Sequence, residues 1–362
     1  MSLQVAMKSD PPPGRPSRSS FLRQIGDRLL PGHRASASSE REGADPWNVD
    51  EWKFPHDGTA REQLLFLVNF AVLAPSVLNR QPWKFKVVDE RLLLFADRER
   101  ALPAFDPNRR ELTMSCGAAL FHIRTAARHY GFEPRIRTFP NMAEPDLLAE
   151  VTLGSRIAPS TLDEQLFMAI RRRRTHRGEL ETSPVEDGAR AGLVGAALAE
   201  GAILTFVDGQ ERTAIAEAIS EAQKRLDDDS AYKIEVSASN IPAVGSVEKS
   251  HKVLAFGEWA SQSVDPGVPA MQAPALAVLS TTSDTVPSWF SAGQAIDRIL
   301  LTAREYGLFA SFMNQPMHYE DTRKAVADAV GHDVPQLILR IGYATPPPPT
   351  PREGAESVVK DI

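Results

Sequence analysis

The sequence predicts an α+β protein built from two related halves. Short apolar runs typical of strands are interspersed with longer segments of helical period, and one helical segment recurs later in the chain. The composition supports a sizeable buried core, because 42% of the 362 residues are hydrophobic and 24% are charged. The single cysteine, Cys116, excludes an internal disulfide and any metal or iron–sulfur centre that needs four cysteines.

The recurring segment lies at an offset of 176 residues. Residues 115–132 read SCGAALFHIRTAARHYGF and residues 291–308 read SAGQAIDRILLTAREYGL, with eight matches in eighteen positions and no gap. Two alanine-rich helices can match by chance, but the shared start and the shared glycine at the end favour duplication. We therefore expect one half over residues 46–155 and a second over residues 156–355, packed as a pseudo-dimer within one chain.

The elements follow in chain order from the spacing of apolar residues. The first helix, over residues 60–73, carries Leu64, Val68 and Val72 on one face and ends before Pro75, which cannot continue it. The same period predicts further helices at residues 110–130, 161–173, 184–200, 211–226, 291–306 and 319–330. Runs rich in β-branched and aromatic residues predict strands at Trp83–Val88, Leu92–Ala96, Arg135–Thr138, Ala149–Leu153, Ile203–Val207, Ala275–Leu279 and Gln336–Ile341.

Two segments are expected to lie outside this framework. Residues 1–45 form a basic tail rich in Pro and Ser, with seven Lys or Arg against five Asp or Glu. The tail has few large apolar residues, so we expect it to be disordered. Residues 227–270 are polar and show no clear period. A segment of that length is often a lid or flap, and we expect one here.

Charge and hydropathy limit the partners of the chain. The formal net charge is −6, which argues against a dedicated nucleic-acid-binding protein. No run approaches 18 apolar residues, so we expect no membrane-spanning helix. The His, Asp and Glu residues show no metal-ligand spacing. We therefore expect a cytoplasmic protein that binds neither nucleic acid nor membranes and holds no metal.

The most informative motif is Ala74-Pro-Ser-Val-Leu-Asn-Arg-Gln-Pro-Trp83, between a strong helix and a strong strand. Ser76 and Asn79 offer polar side chains in a turn, which we expect to leave backbone N–H groups free. Such a turn could hold a polar heterocycle against a rigid sheet. From the residues alone, an ordinary connection between a helix and a strand remains the alternative.

A second motif is the run Arg171-Arg-Arg-Arg-Thr-His-Arg177. Five arginines are costly to pack together unless an anion or carboxylates neutralise them, and guanidinium groups bind phosphate well. A solvated basic helix end, favoured by the helix dipole, is one alternative. An interaction protein that uses this run to bind anions is another.

These motifs resemble those of the nitroreductase family. Its flavin loop reads approximately Pro-Ser-x-x-Asn-x-Gln-Pro-Trp, and its Arg-x-Ser-x-Arg/Lys motif, similar to Arg173-x-Thr175-x-Arg177, holds the phosphate of FMN. Further similarities are the Gly-Gln-Ala helix start at Gly293, the following turn with Met313 and Asn314, and a final strand succeeded by prolines and a basic residue.

The motif order resembles that of the fused, Acg-like branch of this family, because the loop precedes the arginines by about ninety residues. The resemblance implies a nitroreductase-like fold and one FMN site per chain, built from both halves, with the pseudo-symmetric site degenerate. It implies a monomer. The implied FMN-binding residues are Pro75, Ser76, Val77, Asn79, Gln81, Arg173, Thr175, Arg177, Met313, Asn314 and Arg352.

The resemblance implies an FMN-dependent oxidoreductase of nitroreductase type. Hydride would pass from NAD(P)H to flavin N5 and then to an unidentified small-molecule acceptor, without a catalytic side chain. The alternative is a flavin-binding or storage protein with little turnover, because a lid covers the flavin. His176 departs from the family pattern, where asparagine is expected, and is interpreted as a neutral surface histidine. Cys116 is expected to be buried and inert.

Overall fold

A computed structural model of the chain describes residues 45–238, 265–331 and 334–360. The helices are α1 (Ala60–Ala71), α2 (Arg110–His129), α3 (Thr161–Arg172), α4 (Asp187–Leu198), α5 (Gly209–Asp228), α6 (Ser230–Ala238), α7 (Gly267–Gln272), α8 (Val286–Glu305), α9 (Glu320–Val330) and α10 (Ala355–Val358). The strands are β1 (Trp83–Val88), β2 (Arg91–Ala96), β3 (Phe132–Thr138), β4 (Leu147–Arg156), β5 (Ile203–Val207), β6 (Ala275–Thr281), β7 (Phe309–Phe312) and β8 (Val334–Gly342).

The strands form two four-stranded sheets with the same topology. The first sheet has the order β1-β2-β4-β3 and the second has the order β5-β6-β8-β7, with every neighbouring pair antiparallel. In each sheet the first two strands are neighbours, the fourth strand in chain order lies beside the second, and the third lies at the edge. This repeated order, with helices on the sheets, confirms the predicted α+β class and the two related halves.

The two sheets differ in how much of their surface is buried. In β1 buried and half-buried residues alternate, and the buried Trp83, Phe85 and Val87 face the core formed with α1 and α2. All seven residues of β6 are buried, because α4 and α8 cover one face of the second sheet and α5 covers the other. The helices α2 and α8, which contain the recurring segment, pack against each other between the sheets.

The chain leaves the second half near its end and returns to the first. After β8, residues 343–353 cross to the first half, where both guanidinium Nη atoms of Arg100 lie 2.7 Å from the carboxylate oxygens of Glu353. Val359 then pairs with Phe85 of β1, and the Lys360 N–H donates to the Phe85 carbonyl at 2.9 Å. We call residues 343–353 the return segment.

Three expectations about the elements are wrong. The expected helix start at Gly293 lies inside α8, which begins seven residues earlier at Val286. No strand was expected at β7, since its four residues are too few to show a period. The segment 227–270 is not irregular throughout, because α6 and α7 lie within or across it. Residues 239–264 of that segment and residues 1–44 of the predicted tail lie outside the described residues. Among the helices that are described, none combines the length and apolarity needed to cross a membrane.

Candidate functional site

A cavity that opens to solvent lies where the two halves meet, and the space between its walls, open solvent included, is about 790 Å³. The first half contributes the loop after α1 and one face of α2, and the second half contributes the arginine run, α8, the end of β7, β8 and the return segment. The residues that line the cavity are Pro75, Ser76, Val77, Leu78, Asn79, Phe105, Glu111, Met114, Ser115, Ala118, Arg173, Thr175, Arg177, Ile296, Phe312, Asn314, Leu337, Thr350 and Arg352.

The loop after α1 is held in an unusual backbone conformation. Leu78, Asn79 and Gln81 all have positive φ values, of 42°, 54° and 50°. Such values are uncommon for residues other than glycine, and they cluster at functional sites. The Ser76 hydroxyl accepts the Gln81 N–H at 3.0 Å, and the Ser115 hydroxyl of α2 accepts the Val77 N–H at 3.0 Å. The expectation of free backbone N–H groups is therefore wrong for Val77 and Gln81.

The same loop anchors the return segment. The Asn79 side chain accepts from Arg352 Nη1 at 2.7 Å and donates to the Pro351 carbonyl at 3.0 Å. Gln81 Oε1 accepts the Glu353 N–H at 3.0 Å. Gln81 is buried and is absent from the cavity lining. It therefore holds the backbone beside Arg352 rather than facing the cavity.

The arginine run leaves helix α3 after Arg172 and is extended from Arg173 onward, where alternate side chains face the cavity. Thr175 forms a parallel bridge with Ala310 of β7, and the His176 N–H donates to the Ala310 carbonyl at 3.1 Å. Because side chains alternate along an extended segment, Arg173, Thr175 and Arg177 line the cavity together.

The other side chains of the run have partners elsewhere. Arg171 pairs with Glu51 at 3.0 Å, and Arg172 pairs with Glu305 at 2.5 Å. Arg174 lies 3.8 Å above the Trp47 ring. His176 is half-buried rather than a surface residue, its Nε2 lies 2.9 Å from the Glu179 carbonyl, and burial lowers its pKa.

One end of the cavity carries buried positive charge that protein groups do not neutralise. Arg173 is 3% exposed, and its Nε and Nη1 have no hydrogen-bond partner. Nε of Arg177 and Nε of Arg352 are also buried without a partner. Among the described residues, no carboxylate lies within ion-pair distance of these three arginines.

The pKa values reflect this concentration of charge. Burial lowers the pKa of Arg173, and the Asp297 carboxylate only partly opposes it. Burial and the Arg173 charge lower the pKa of Arg177 to about 10. Burial, followed by the charges of its arginine neighbours, lowers the pKa of Arg352 well below its usual range. A bound anion would relieve all three effects. We call Arg173, Arg177 and Arg352 the arginine end.

The rest of the cavity wall is largely apolar but includes an acidic residue, Glu111, whose charge is opposite to that of the arginine end. Glu111 in the first turn of α2 lies 3.2 Å from Arg110 and 3.5 Å from the Asn314 amide nitrogen. Burial raises the pKa of Glu111 to about 7, although Arg110 and Asn314 act in the opposite direction. Apolar side chains line the wall between the two ends, namely Met114, Ala118, Ile296, Phe312 and Leu337.

The cavity thus brings together nine of the eleven residues expected at the site; Gln81 and Met313 do not line it. Met313 is 3% exposed and packs in the core beneath α5, and its N–H donates to the Ile338 carbonyl at 2.9 Å. The expectation did not include Glu111, Met114, Ser115 and Ala118, which form one face of α2. Their spacing of three or four residues is the signal that could have identified them.

Cys116 is fully buried, and its Sγ lies 3.1 Å from the Pro82 carbonyl. Burial raises the pKa of this thiol, which disfavours the reactive thiolate. Within the described ranges, no group of three or more His, Cys, Asp or Glu side chains is arranged to hold a metal ion.

The pseudo-symmetric position contains larger side chains. At the offset of 176 residues, Phe290 and Gln294 replace Met114 and Ala118. The Phe290 ring contacts Phe139, with centroids 5.5 Å apart. The Gln294 side-chain oxygen accepts from Arg124 at 2.7 Å, and Arg124 also pairs with Glu200 at 2.6 Å. The larger side chains at these two positions are thus in contact with neighbouring residues.

The chain is similar to known proteins over most of its length. No family model matches it. It is 31% identical over 325 residues to the Mycobacterium tuberculosis protein named "Putative NAD(P)H nitroreductase Rv3131", which covers 85% of this chain and 92% of that protein. It is 28% identical over 310 residues to "Putative NAD(P)H nitroreductase acg" of the same organism, covering 80% and 93%.

Among solved structures, the chain is similar to the FMN-dependent nitroreductase NfnB from Mycobacterium smegmatis in complex with NADPH. The identity is 17% and the TM-score 0.39, over 56% of this chain and 99% of that one. The similarity to the two sequence relatives extends over 85% and 80% of the chain and so includes both halves. The chain belongs to the nitroreductase superfamily of oxidoreductases, in the Acg-like branch that its motif order predicts.

Proposed function

We propose that the chain is an FMN-dependent oxidoreductase that takes hydride from NAD(P)H and passes the electrons to a small-molecule acceptor. One observation of the structure carries the proposal. The cavity ends in three arginines, each of which has at least one buried guanidinium nitrogen without a hydrogen-bond partner. Burying an unpaired charge is costly, so this end favours an anion, and arginines bind phosphate through charge-assisted hydrogen bonds.

The rest of the cavity also fits FMN. Arg173, Arg177 and Arg352, with the Thr175 hydroxyl, would hold its phosphate. The loop residues Pro75, Ser76, Val77 and Asn79 would border the ring together with Asn314, while the apolar side chains would cover its faces. Gln81 and Met313 would support these residues from behind. When bound, FMN supplies hydride and electron transfer, which no protein side chain of the site provides.

The nicotinamide donor is supported by the relatives. Those from Mycobacterium tuberculosis with 31% and 28% identity are named NAD(P)H nitroreductases. The chain contributes position and fixed charge. Its arginine end would retain the cofactor through the phosphate, and its apolar wall would exclude water from the ring.

We also propose that the functional unit is a cytoplasmic monomer without a nucleic-acid partner. The interface between α2 and α8, which a dimer of separate half-length chains would form between subunits, lies here within one chain. The net charge of −6 supports the absence of a nucleic-acid partner, and the single buried cysteine fits a reducing compartment.

A specific contact favours flavin storage as a second candidate. The Tyr232 ring of α6 stacks on Phe105, which lines the cavity, with centroids 5.3 Å apart. The Glu235 carboxylate accepts the Ala104 and Phe105 N–H groups at 3.0 and 2.8 Å. Helix α6 belongs to the segment expected to form a lid, so a wall held this way could limit the access of a second substrate.

An anaerobic absorbance titration tests these proposals. The full chain is incubated with FMN, separated from free FMN, and then mixed with NADPH or NADH. We expect a bound flavin spectrum that bleaches with at least one nicotinamide. A bound spectrum that persists would contradict the reductase and support storage. Absence of bound FMN would contradict both, and salt-sensitive binding of inorganic phosphate alone would support an anion-binding role for the arginine end.

A further inference from the structure

A buried carboxyl group lies in the cavity at a distance from the arginine end. Of the described residues that line the cavity, Glu111 is the only acidic one. Its side chain is 11% exposed. None of the three arginines of the arginine end is among the charges that shift its pKa. The cavity is therefore polarised, with guanidinium groups at one end and a carboxyl group near the other.

The surroundings of Glu111 leave its charge poorly balanced. Arg110, on the same helix, is its ion-pair partner at 3.2 Å. However, Arg110 Nη1 also donates to the carbonyl and the side-chain oxygen of Gln336, at 2.6 and 3.1 Å. Asp106, in the loop before α2, adds a second negative charge. The Arg110 guanidinium therefore divides its hydrogen bonds between Glu111 and Gln336, and its charge is only partly available to neutralise Glu111.

The other elements around Glu111 contribute little positive charge. From β7 and its following turn, Asn314 offers a neutral amide. From α6, Tyr232 is close enough for the Glu111 charge to raise its pKa. Behind Arg110 lie Arg323, which pairs with Asp284 at 2.6 Å, and His318, whose pKa burial lowers to about 4. Little positive charge therefore opposes the burial that raises the pKa of Glu111.

We propose that Glu111 is the proton-holding group of the cavity and binds one proton when the cofactor beside it gains negative charge. The inference rests on the proposed function. When bound, FMN would accept hydride from the nicotinamide, and the two electrons and one proton would add one negative charge to its neutral oxidised ring. A carboxylate that faces this charge becomes a stronger base. Glu111 then takes one proton from solvent, so the charge at this end of the cavity is unchanged.

Reduced-minus-oxidised infrared difference spectra of the FMN-loaded full chain at pH 8 test this proposal, with dithionite as the reductant. The variant is Glu111→Gln, which keeps the shape and cannot titrate. The control is Glu200→Gln, which alters another buried, arginine-paired carboxylate away from the cavity. We expect reduction to produce the carbonyl band of a protonated carboxylic acid in the wild-type chain and in Glu200→Gln, but not in Glu111→Gln.

The outcomes separate this inference from the proposed function. If FMN binds and no such band forms in the wild-type chain, Glu111 does not bind the proton, although the flavoprotein assignment stands. A band of equal size in Glu111→Gln assigns the proton to another group and overturns the inference. If the wild-type chain binds no FMN, both proposals fail. If Glu111→Gln does not fold, Glu111→Asp is measured instead. A carboxylic acid band shifted from its wild-type position would then support the proposal, and a band at the wild-type position would contradict it.

Discussion

Gly117 of α2 and Gly293 of α8 occupy equivalent positions in the two halves, and each packs against the helix that contains the other. A Cβ atom on Gly117 would overlap the carbonyl oxygen of Phe290, and a Cβ on Gly293 would overlap that of Met114. Phe290 and Met114 are themselves 176 residues apart. Reciprocal contacts of this kind define an isologous interface, here formed within a single chain.

The first prediction concerns this pair of glycines. Gly117→Ala and Gly293→Ala should each lower the free energy of unfolding by about 1–3 kcal/mol, because the added methyl group forces two packed helix backbones apart. Urea titration of the FMN-free chain measures the effect. The control is Gly195→Ala in α4, where a Cβ meets no atom within 4 Å, and it should be neutral or stabilising. Equal effects at all three positions would contradict the close approach.

Arg173 provides a second prediction, on cofactor retention. Arg173→Ala should weaken FMN binding about ten- to a hundred-fold, since a charge-assisted hydrogen bond contributes ~1.5–3 kcal/mol. Quenching of flavin fluorescence during titration gives the dissociation constant. Arg172→Ala, which removes the neighbouring guanidinium that pairs with Glu305, is the matched control and should bind FMN as the wild type does. Unchanged affinity in the Arg173 variant would show that the FMN phosphate does not bind at Arg173.

Replacing Arg173, which should weaken FMN binding, should by contrast stabilise the FMN-free chain against unfolding. Arg173→Met replaces a buried charge that has no carboxylate partner with an apolar side chain of similar length. Without FMN, this variant should gain about 1 kcal/mol or more of unfolding free energy, because the desolvation cost of the charge disappears. Thermal unfolding with and without FMN should therefore reverse the ranking of variant and wild type. A loss of stability in the FMN-free variant would show that Arg173 is better compensated than its contacts indicate.

His318 provides a prediction on pH. Burial lowers its pKa to about 4, and it packs edge-on against Phe105 with centroids 4.9 Å apart. Between pH 6.5 and 4 the unfolded chain binds this proton and the folded chain does not, so the contribution of His318 falls as the pH falls. The difference in unfolding free energy between wild type and His318→Gln should therefore decrease from pH 7 to pH 4.5, by at most about 1.4 kcal/mol per pH unit. A difference that is constant across this range would show that folding does not lower the pKa of His318.

Gln81 tests whether a residue outside the cavity positions one inside it. Gln81→Ala removes the acceptor of the Glu353 N–H and should loosen the return segment next to Arg352. We expect faster hydrogen exchange at Glu353 and about tenfold weaker FMN binding, which corresponds to the ~1.4 kcal/mol of one hydrogen bond. Weaker binding without a change in exchange would indicate direct contact with the cofactor instead.

Much of the fold could be predicted from local patterns. The bounds of β1 and β5 match the apolar runs, and α2 and α8 were recognised through their repetition. The strand β7 was missed, although its pairing with Thr175 explains why alternate residues of the arginine run face the cavity. That pairing joins residues 135 positions apart, and such contacts leave no local pattern in a sequence.

The site was predicted less completely than the fold, for physical reasons. A glutamate in the first turn of a helix usually faces solvent, where it complements the helix dipole, so nothing near Glu111 in the sequence marks it as buried. Its burial depends on Asn314 and other residues of the second half. Gln81 and Met313 lie within motifs whose neighbours line the cavity, but a motif does not determine which of its side chains turn inward.

The return segment has a consequence for synthesis of the protein. A ribosome completes all eight strands, both helices of the central pair and two members of the arginine end before it reaches Arg352. The nascent chain can therefore bury its two hydrophobic cores first, and the anion site acquires its third guanidinium only when residues 343–353 fold back onto the loop at Asn79. Cofactor loading thus depends on synthesis having passed Arg352, and translation products that stop before this residue would be poor competitors for flavin.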